Sequence, residues 1–192
     1  MNIADVEKVI NNCAEAALNT DQILDLPFAH EPYYKFLYSL AKTFNFSDII
    51  ELGVYKGTGI AHLAKGSGYY VTGVDIDLNN VETQVLVDSN IDLIKKDSIA
   101  FLKAMLDNEV SFGLFHVDTN HEADQLKQEL DQIFRVSQMA IICIDDININ
   151  AGMRRVWSTA LHKNAKKFEY PKLHATGYGV IFFNKERNNA PK

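Results

Sequence analysis

The chain has 192 residues, enough for one sizeable α/β core, and no shift in composition marks a second one. Its 19 basic and 25 acidic residues give a formal charge of −6. The basic residues are scattered apart from Lys163, Lys166 and Lys167, which disfavours a nucleic-acid partner and favours a small molecule. No run approaches the ~20 apolar residues of a membrane span. Only two cysteines, Cys13 and Cys143, occur, and they suit buried thiols in a reducing compartment. We therefore expect a cytoplasmic protein without an export signal or a membrane partner.

The N-terminal segment, residues 1–47, is predicted to form helices that cover a sheet and the mouth of a substrate site. Apolar residues at helical spacing predict an amphipathic helix from Ile3 to Leu18. Two prolines then interrupt the periodicity, and Pro32 is expected to open a second helix that runs to about Phe44. Within this segment, His30 and one of Tyr33 and Tyr34 are candidates for lining the substrate mouth.

Residues 48–184 are predicted to form the core of the molecule. Five short apolar runs alternate with helix-length segments, which indicates parallel strands joined by crossovers in a doubly wound α/β, Rossmann-like sheet. Two further strand-like runs are separated by a segment too short for a crossover helix, so they should pair as an antiparallel hairpin. The sheet would then have seven strands, and residues 185–192 form a polar tail. The predicted strands are 49–52, 69–74, 91–94, 112–117, 140–144, 166–170 and 179–184.

A glycine-rich turn follows the first predicted strand. Ligands of open α/β sheets bind outside the carboxyl ends of the strands. Here Gly53, Gly57 and Gly59 allow close backbone approach to a ligand, and Thr58 is placed to cap the next helix. The spacing G-x-x-x-G-x-G differs from the dinucleotide pattern, and Glu51 would be a poor neighbour for a pyrophosphate. The turn therefore favours a cofactor that carries an ammonium group.

Two later strand ends extend this cofactor site. Asp75 ends the second strand 22 residues after Gly53, a separation at which a carboxylate can bind both ribose hydroxyls. At the end of the third strand, Asp97 could accept a hydrogen bond from an adenine amino group while Ser98 donates to the ring. Structural alternatives remain open: helix N-capping for Asp97 and Ser98, and a helix-dipole or solvated carboxylate for Asp75 and Glu51.

The segment Glu51-Leu-Gly-Val-Tyr-Lys-Gly-Thr-Gly59 resembles the first motif, E-[IL]-G-x-x-x-G-x-[ST], of class I S-adenosylmethionine-dependent methyltransferases. The likeness is to the branch of macrocin- and cephamycin-type O-methyltransferases, the family 24 methyltransferase domains, and it covers residues 48–184. It implies that the methionine end of the cofactor binds at the motif. The residues concerned would be Glu51, Gly53, Tyr55, Gly57 and Thr58.

Three aspartates follow neighbouring predicted strands: Asp118 ends the fourth strand, and Asp145 and Asp146 end the fifth. Clustered carboxylates suit a hard divalent cation such as Mg²⁺. They also match the positions that bind Mg²⁺ in similar O-methyltransferases, where the ion would hold two substrate oxygens and lower the pKa of the attacking hydroxyl. A metal-free alternative stays open, because Asp118 could instead meet the cofactor's amino group and the aspartate pair could cap a loop.

His121 is the candidate general base, with Asp118 as its catalytic partner. It lies three residues after Asp118, where the related family often has a histidine, and imidazole titrates near neutrality. The alternative is a hydrogen-bonded surface histidine. His116, His162 and His174 have no motif around them and receive no role.

These observations predict a methyltransferase that O-methylates a small hydroxylated acceptor with S-adenosylmethionine, and with Mg²⁺ if the metal interpretation holds. Two rival functions stay open: an NAD-dependent oxidoreductase of similar topology and a non-catalytic cofactor-binding protein. The sequence does not identify the acceptor, and a homodimer is an expectation from related enzymes alone.

Overall fold

The structure, a computed structural model, describes residues 3–108, 110–159 and 162–185. The chain begins with two helices, α1 (Ile3–Asn19) and α2 (Pro32–Phe44), as predicted. Pro32 stands at the start of α2, and Asn45 ends it in the left-handed conformation, with φ 51°. Except for Lys185, the predicted tail lies outside the described residues. No helix among the described residues combines the length and apolar character needed to cross a membrane.

Strands and helices alternate from residue 49 onward. The strands are β1 (Ile49–Leu52), β2 (Val71–Asp75), β3 (Ile91–Lys95), β4 (Leu114–Val117), β5 (Met139–Ile144), β6 (Ala165–Glu169) and β7 (Gly179–Asn184). The intervening helices are α3 (Thr58–Ser67), α4 (Thr83–Leu86), α5 (Ser98–Asp107), α6 (Ala123–Val136) and α7 (Ala151–Thr159).

The seven strands form one sheet in the order β3-β2-β1-β4-β5-β7-β6. The pairs among β1 to β5 are parallel, whereas β7 runs antiparallel to both β5 and β6. This confirms the predicted doubly wound sheet and the antiparallel pairing of its last two strands. The strand order reverses between β1 and β4, so their carboxyl ends form the switch point where open α/β sheets bind ligands.

Each face of the sheet is covered by its own group of helices. On one face, α1, α2 and α3 bury residues such as Ile10, Phe36 and Leu63. On the other, α5, α6 and α7 pack through Leu102, Ile133 and other apolar residues. Strands β1 and β4 are buried along their whole length, as expected for central parallel strands. Polar side chains at their carboxyl ends are therefore held on a rigid frame.

Candidate active site

Gly53 lets the ends of β1 and β4 approach each other closely. It has φ +88°, and a Cβ built there would lie 1.9 Å from the carbonyl oxygen of Asp118. Any side chain at this position would therefore collide with the β4 backbone as well as strain its own. The glycine joins the turn after β1 to the loop after β4.

The start of α3 differs from the sequence-based expectation for Thr58. The residue at the N-cap is Gly57, with φ +85°, and it makes no side-chain cap. Thr58 is the first helical residue, and its hydroxyl donates to the carbonyl oxygen of Pro27 at 2.6 Å. The predicted capping role is wrong, because this bond instead ties the loop before α2 to the glycine turn.

Glu51 lies behind the glycine turn and not in the ligand cavity. Glu51 is 1% exposed. Its Oε1 is 2.7 Å from Nδ1 of His116, the residue that pairs with Glu51 on β4. A Cβ on Gly59 would meet the same oxygen at 1.9 Å, so only glycine leaves room for this pair. Burial raises the pKa of Glu51, and the hydrogen bond from His116 opposes that shift. The prediction that Glu51 faces the ammonium group of a cofactor therefore does not fit its position.

Asp75 is held by the backbone of the glycine turn. Its Oδ2 accepts hydrogen bonds from the backbone amides of Val54 (2.8 Å) and Tyr55 (3.0 Å), and its Oδ1 accepts one from Asp77 (2.9 Å). These bonds fix the carboxylate at the edge of the cavity described below. The ribose role of Asp75 remains a prediction.

Asp97 and Ser98 open α5 in the way the structural alternative expected. Asp97 is the N-cap, and its Oδ1 accepts a hydrogen bond from the backbone amide of Ala100 at 2.8 Å. Ser98 is buried and donates its hydroxyl proton to Glu129 at 2.6 Å. Since a hydroxyl has one proton, Ser98 as placed here cannot also donate to an adenine ring.

These strand ends surround a cavity of about 390 Å³. The predicted residues Gly53, Tyr55, Asp75, Asp97, Ser98, Asp118 and His121 all line it, whereas Glu51, Gly57, Thr58, Asp145 and Asp146 do not. Its other lining residues were not predicted: Val74, Ile76, Lys96, Thr119, Asn120 and Gln125. The cavity lies at the strand-order reversal, where the topology predicts a ligand.

The three predicted aspartates lie together beside this cavity with His121. Nε2 of His121 is 3.1 Å from Oδ1 of Asp118 and 3.2 Å from Oδ2 of Asp146. Asp145 lies within the same cluster and is 3% exposed. The hydrogen bond to Asp118 raises the pKa of His121 above its ordinary value, against the effect of burial. Both carboxylates stabilise the protonated form of this imidazole.

His174 is a member of the cluster that the sequence analysis missed. It lies on the loop between β6 and β7, and its Nδ1 is 2.7 Å from Oδ1 of Asp145 and 3.3 Å from Oδ1 of Asp146. The hydrogen bond to Asp145, followed by that to Asp146, raises the pKa of His174 to about 10. Thr176 also donates to Asp146. The only signal in the sequence is the hairpin itself, because antiparallel β7 returns the loop before it to the carboxyl end of β5.

The aspartate pair differs in its electrostatics. Burial raises the pKa of Asp145, which lies deeper in the sheet. Burial also acts to raise that of Asp146, but hydrogen bonds from His174 and Thr176 bring its pKa below the ordinary value. Asp146 is thus the more firmly ionised member of the pair.

Three residues around the site have left-handed backbone although they are not glycine. They are Tyr55 (φ 46°), His121 (φ 55°) and Asp146 (φ 56°), one in each of the loops after β1, β4 and β5. Such conformations cost of order 1–3 kcal/mol each and persist where the surrounding structure fixes them. All three residues lie in loops at the same edge of the sheet, next to the carboxyl ends of its parallel strands.

A buried polar cluster lies beneath α2, next to the aspartates. Tyr33 and Tyr34 are only 5% and 7% exposed, so they line this cluster and not an open mouth, whereas His30 has an exposed side chain. The ring of Tyr33 lies 4.9 Å from that of His174 and 5.4 Å from that of Tyr178. Within the described residues, four buried side-chain atoms lack a hydrogen-bond partner, and all belong to this region: Glu51 Oε2, His62 Nε2, His116 Nε2 and the Tyr178 hydroxyl.

The donor chemistry of the acidic cluster fits a divalent cation. Asp118, His121 and Asp145 can bring ligand atoms within 4.8 Å of one another, and so can Asp145, Asp146 and His174. The hydrogen bonds described above use Oδ1 of Asp118 and Oδ1 of Asp145, which leaves the Oδ2 atoms of both residues outside these bonds. Carboxylate oxygens are the ligands that Mg²⁺ prefers.

Comparison with known proteins agrees with this geometry. The family model described as a methyltransferase domain matches residues 50–147, about half of the chain, from β1 through the aspartate pair. A search of curated proteins found no significant match.

Several solved methyltransferase structures share the fold. The O-methyltransferase from Bacillus cereus, solved with S-adenosylhomocysteine, is 16% identical with a TM-score of 0.65, covering 96% of this chain and 92% of that chain. The O-methyltransferase TomG from Streptomyces achromogenes, involved in tomaymycin synthesis and solved with S-adenosylmethionine, is 16% identical with a TM-score of 0.65, covering 92% and 89%. A methyltransferase from Podospora anserina bound to S-adenosylhomocysteine is 16% identical with a TM-score of 0.63, covering 96% and 97%. At this identity the likeness establishes the fold, which is the predicted one.

Proposed function

This chain belongs to the methyltransferase domain family, and from that premise we propose that it transfers the methyl group of S-adenosylmethionine to a hydroxyl oxygen of a small molecule. One observation carries the proposal: a single cavity is lined both by Gly53 and Asp75 and by Asp118 and His121. The candidate cofactor site and the candidate proton-accepting site thus share one cavity.

The cofactor would lie across the ends of β1, β2 and β3. Its methionine part would contact the backbone at Gly53 and Tyr55, where the missing Cβ permits close approach. Asp75 would accept hydrogen bonds from the ribose hydroxyls, and Asp97 would face the adenine ring. Two of the S-adenosyl-ligand complexes with this fold come from proteins described as O-methyltransferases. That agreement supports both the cofactor and the oxygen acceptor.

The acceptor hydroxyl would lie between the cofactor and the acidic cluster. Its oxygen attacks the methyl carbon, the carbon–sulfur bond breaks, and the sulfonium becomes the neutral thioether of S-adenosylhomocysteine. The hydroxyl proton passes to His121, which Asp118 and Asp146 orient and stabilise as a cation. The chain's main task is to hold oxygen, carbon and sulfur in line.

A divalent cation such as Mg²⁺ forms the second part of the proposal. Asp118, Asp145 and Asp146 would hold it, and it would supply Lewis-acid polarisation that lowers the pKa of the acceptor hydroxyl. A metal-free reaction would rely on the two histidines to balance the charge of the three carboxylates. Isothermal titration with Mg²⁺ and Mn²⁺, comparing the wild type with Asp145→Asn, distinguishes the two.

The proposal also covers the compartment, the partners and the oligomeric state of the protein. Both free cysteines, Cys13 and Cys143, are buried, which suits the cytoplasmic location we propose. The partner we propose is a small-molecule acceptor, with neither nucleic acid nor membrane involved, and the chain would act as a homodimer. Sedimentation at two protein concentrations tests the dimer.

Calorimetry with S-adenosylhomocysteine and with NAD tests the function directly. We expect micromolar binding of S-adenosylhomocysteine that requires Asp75, and no heat with NAD. Binding of NAD alone would refute the methyltransferase proposal and support an oxidoreductase. If S-adenosylhomocysteine binds, transfer of a labelled methyl group to a panel of hydroxylated compounds identifies the acceptor.

A further inference from the structure

Three side chains of the cavity wall donate hydrogen bonds to one buried carboxylate on α6. Glu129 is 0% exposed. Its Oε1 accepts from Ser98 Oγ at 2.6 Å and from Gln125 Nε2 at 3.0 Å, and its Oε2 accepts from Thr119 Oγ1 at 3.1 Å. Ser98, Thr119 and Gln125 all line the cavity, whereas Glu129 lies behind them. Glu129 therefore fixes part of the cavity wall without reaching the ligand space.

The polarity of this network follows from the number of protons available. An ionised carboxylate only accepts, so Ser98 must give its single hydroxyl proton to Glu129. Ser98 then accepts from Gln125 Nε2 at 2.8 Å. Burial raises the pKa of Glu129, and the donated hydrogen bonds oppose that shift because they stabilise the charged form.

The same bonds fix the orientation of the Gln125 amide. Its Nε2 donates to both Ser98 and Glu129. Turning the amide over would place its oxygen against the carboxylate and against a lone pair of Ser98, with loss of both bonds. No hydrogen bond within the described residues uses the amide oxygen of Gln125, so this half-buried side chain retains one oriented acceptor at the cavity.

We propose that Gln125 Oε1 accepts a hydrogen bond from the exocyclic amino group of the cofactor's purine, with Glu129 as the positioning residue that keeps the amide turned this way. The inference rests on the proposed function. Ser98, predicted from the sequence to donate to the ring, instead transmits the orientation from Glu129 to Gln125. A 6-oxo purine would place a carbonyl oxygen opposite Oε1, so the site selects adenine over hypoxanthine.

The test compares S-adenosylhomocysteine with S-inosylhomocysteine by isothermal titration. In the second compound a 6-oxo group replaces the amino group and N1 carries a proton. The wild type should bind the adenine compound at least about tenfold more tightly, as expected for one hydrogen bond and the repulsion that replaces it. Gln125→Met keeps the length of the side chain but removes the acceptor, and should lower the preference about tenfold.

Glu129→Gln tests the positioning role. A glutamine at 129 offers its own donor, so the Gln125 amide can turn over and present nitrogen to a 6-oxo group. The preference should fall in this variant while binding of S-adenosylhomocysteine stays within about threefold, a combination that loss of packing would not produce. Gln128→Met, on the exposed side of α6, is the matched control and should keep the full preference.

The outcomes distinguish failure of the inference from failure of the proposed function. If the wild type binds S-adenosylhomocysteine but shows no preference, or if Gln125→Met keeps the preference, the role of Gln125 is wrong while the methyltransferase proposal stands. If Gln125→Met loses the preference and Glu129→Gln keeps it, the positioning role is wrong. If the wild type binds neither compound, both proposals fail. Gln125→Met alone decides whether Gln125 recognises the amino group, even if the Glu129→Gln variant does not fold.

Discussion

The candidate site has two halves that are built in different ways: a cofactor half, and an acceptor half made by the acidic cluster. The cofactor half, formed by the loops after β1, β2 and β3, is held by backbone groups: the Asp75 carboxylate accepts three backbone amides. The acceptor half, formed by the loops after β4 and β5 and between β6 and β7, is held by contacts between charged side chains, with His121 and His174 placed among three aspartates. A backbone frame preserves the shape of the cofactor half, whereas charge balance holds the acceptor half together.

The largest effect is expected from the acceptor half. His121→Ala removes the base, which contacts both Asp118 and Asp146, and should lower kcat by about a thousandfold. Affinity for S-adenosylhomocysteine should change less than about threefold, because the cofactor half is held separately. Steady-state kinetics and calorimetry on one preparation measure both. His162→Ala, on the loop before β6, is the control. Equal losses in rate and affinity would show that the halves are not independent.

The close approach of Gly53 to the Asp118 backbone, where the two halves meet, should be sensitive to a single methyl group. Gly53→Ala places a Cβ against the Asp118 carbonyl and in left-handed backbone, so the free energy of unfolding should fall by about 3 kcal/mol. Gly68→Ala, with φ +70° and no atom within 4 Å of its Cβ, is the matched control. It should cost only about 1 kcal/mol. Urea denaturation measures both, and similar losses would mean that the close approach at Gly53 is relaxed in solution.

Within the cofactor half, Asp75→Asn should weaken binding of S-adenosylhomocysteine about tenfold. The amide still accepts hydrogen bonds, but it is uncharged and one of its two ends now donates. Asp77→Asn, two residues along and outside the cavity lining, should change affinity less than about twofold. Unchanged affinity in Asp75→Asn would remove the ribose role.

The smallest effect concerns His62, in the buried cluster beneath α2. Burial lowers the pKa of His62 in the folded protein. As the pH falls below about 6.5, the imidazole therefore becomes protonated in the unfolded chain before it does in the folded one. Stability from the neutral form is present above that pH and is lost on acidification, by about 1 kcal/mol between pH 7 and 5.5. His62→Gln should remove this contribution to the dependence of the free energy of unfolding on pH. Urea titrations at several pH values measure it, with His30→Gln on the exposed loop as control. An unchanged slope would contradict a buried neutral imidazole.

The difference between the halves also explains what could be predicted from the sequence. The sheet, both N-terminal helices and the hairpin follow from apolar periodicity, which is local. Gly53 and Asp75 were placed correctly at the cavity because glycine spacing and a strand-end acid are local signals too. Glu51 was assigned to the cavity, but its side chain points under α3 to His116, and a linear pattern does not show which face of a strand carries a ligand.

Residues that depend on distant partners were missed for a physical reason. His174 reaches Asp145 from 29 positions away, and Glu129 reaches Ser98 from 31. Nothing near either residue in the sequence marks the contact, since it exists only once the sheet order and the crossover helices are set. The Asp118, Asp145 and Asp146 cluster could be foreseen because adjacent parallel strands end at one edge.

The reversed direction of β7 has a consequence for how such a protein can change. The segment between β6 and β7 begins and ends in the sheet and contains no crossover helix, yet it delivers His174 and Thr176 to the aspartate pair. Substitutions or insertions there can remodel the acceptor half without moving any helix of the cofactor half. A laboratory search for new acceptors would therefore use libraries at residues 172 and 174–176, and would leave the buried core residues Leu173 and Tyr178 unchanged.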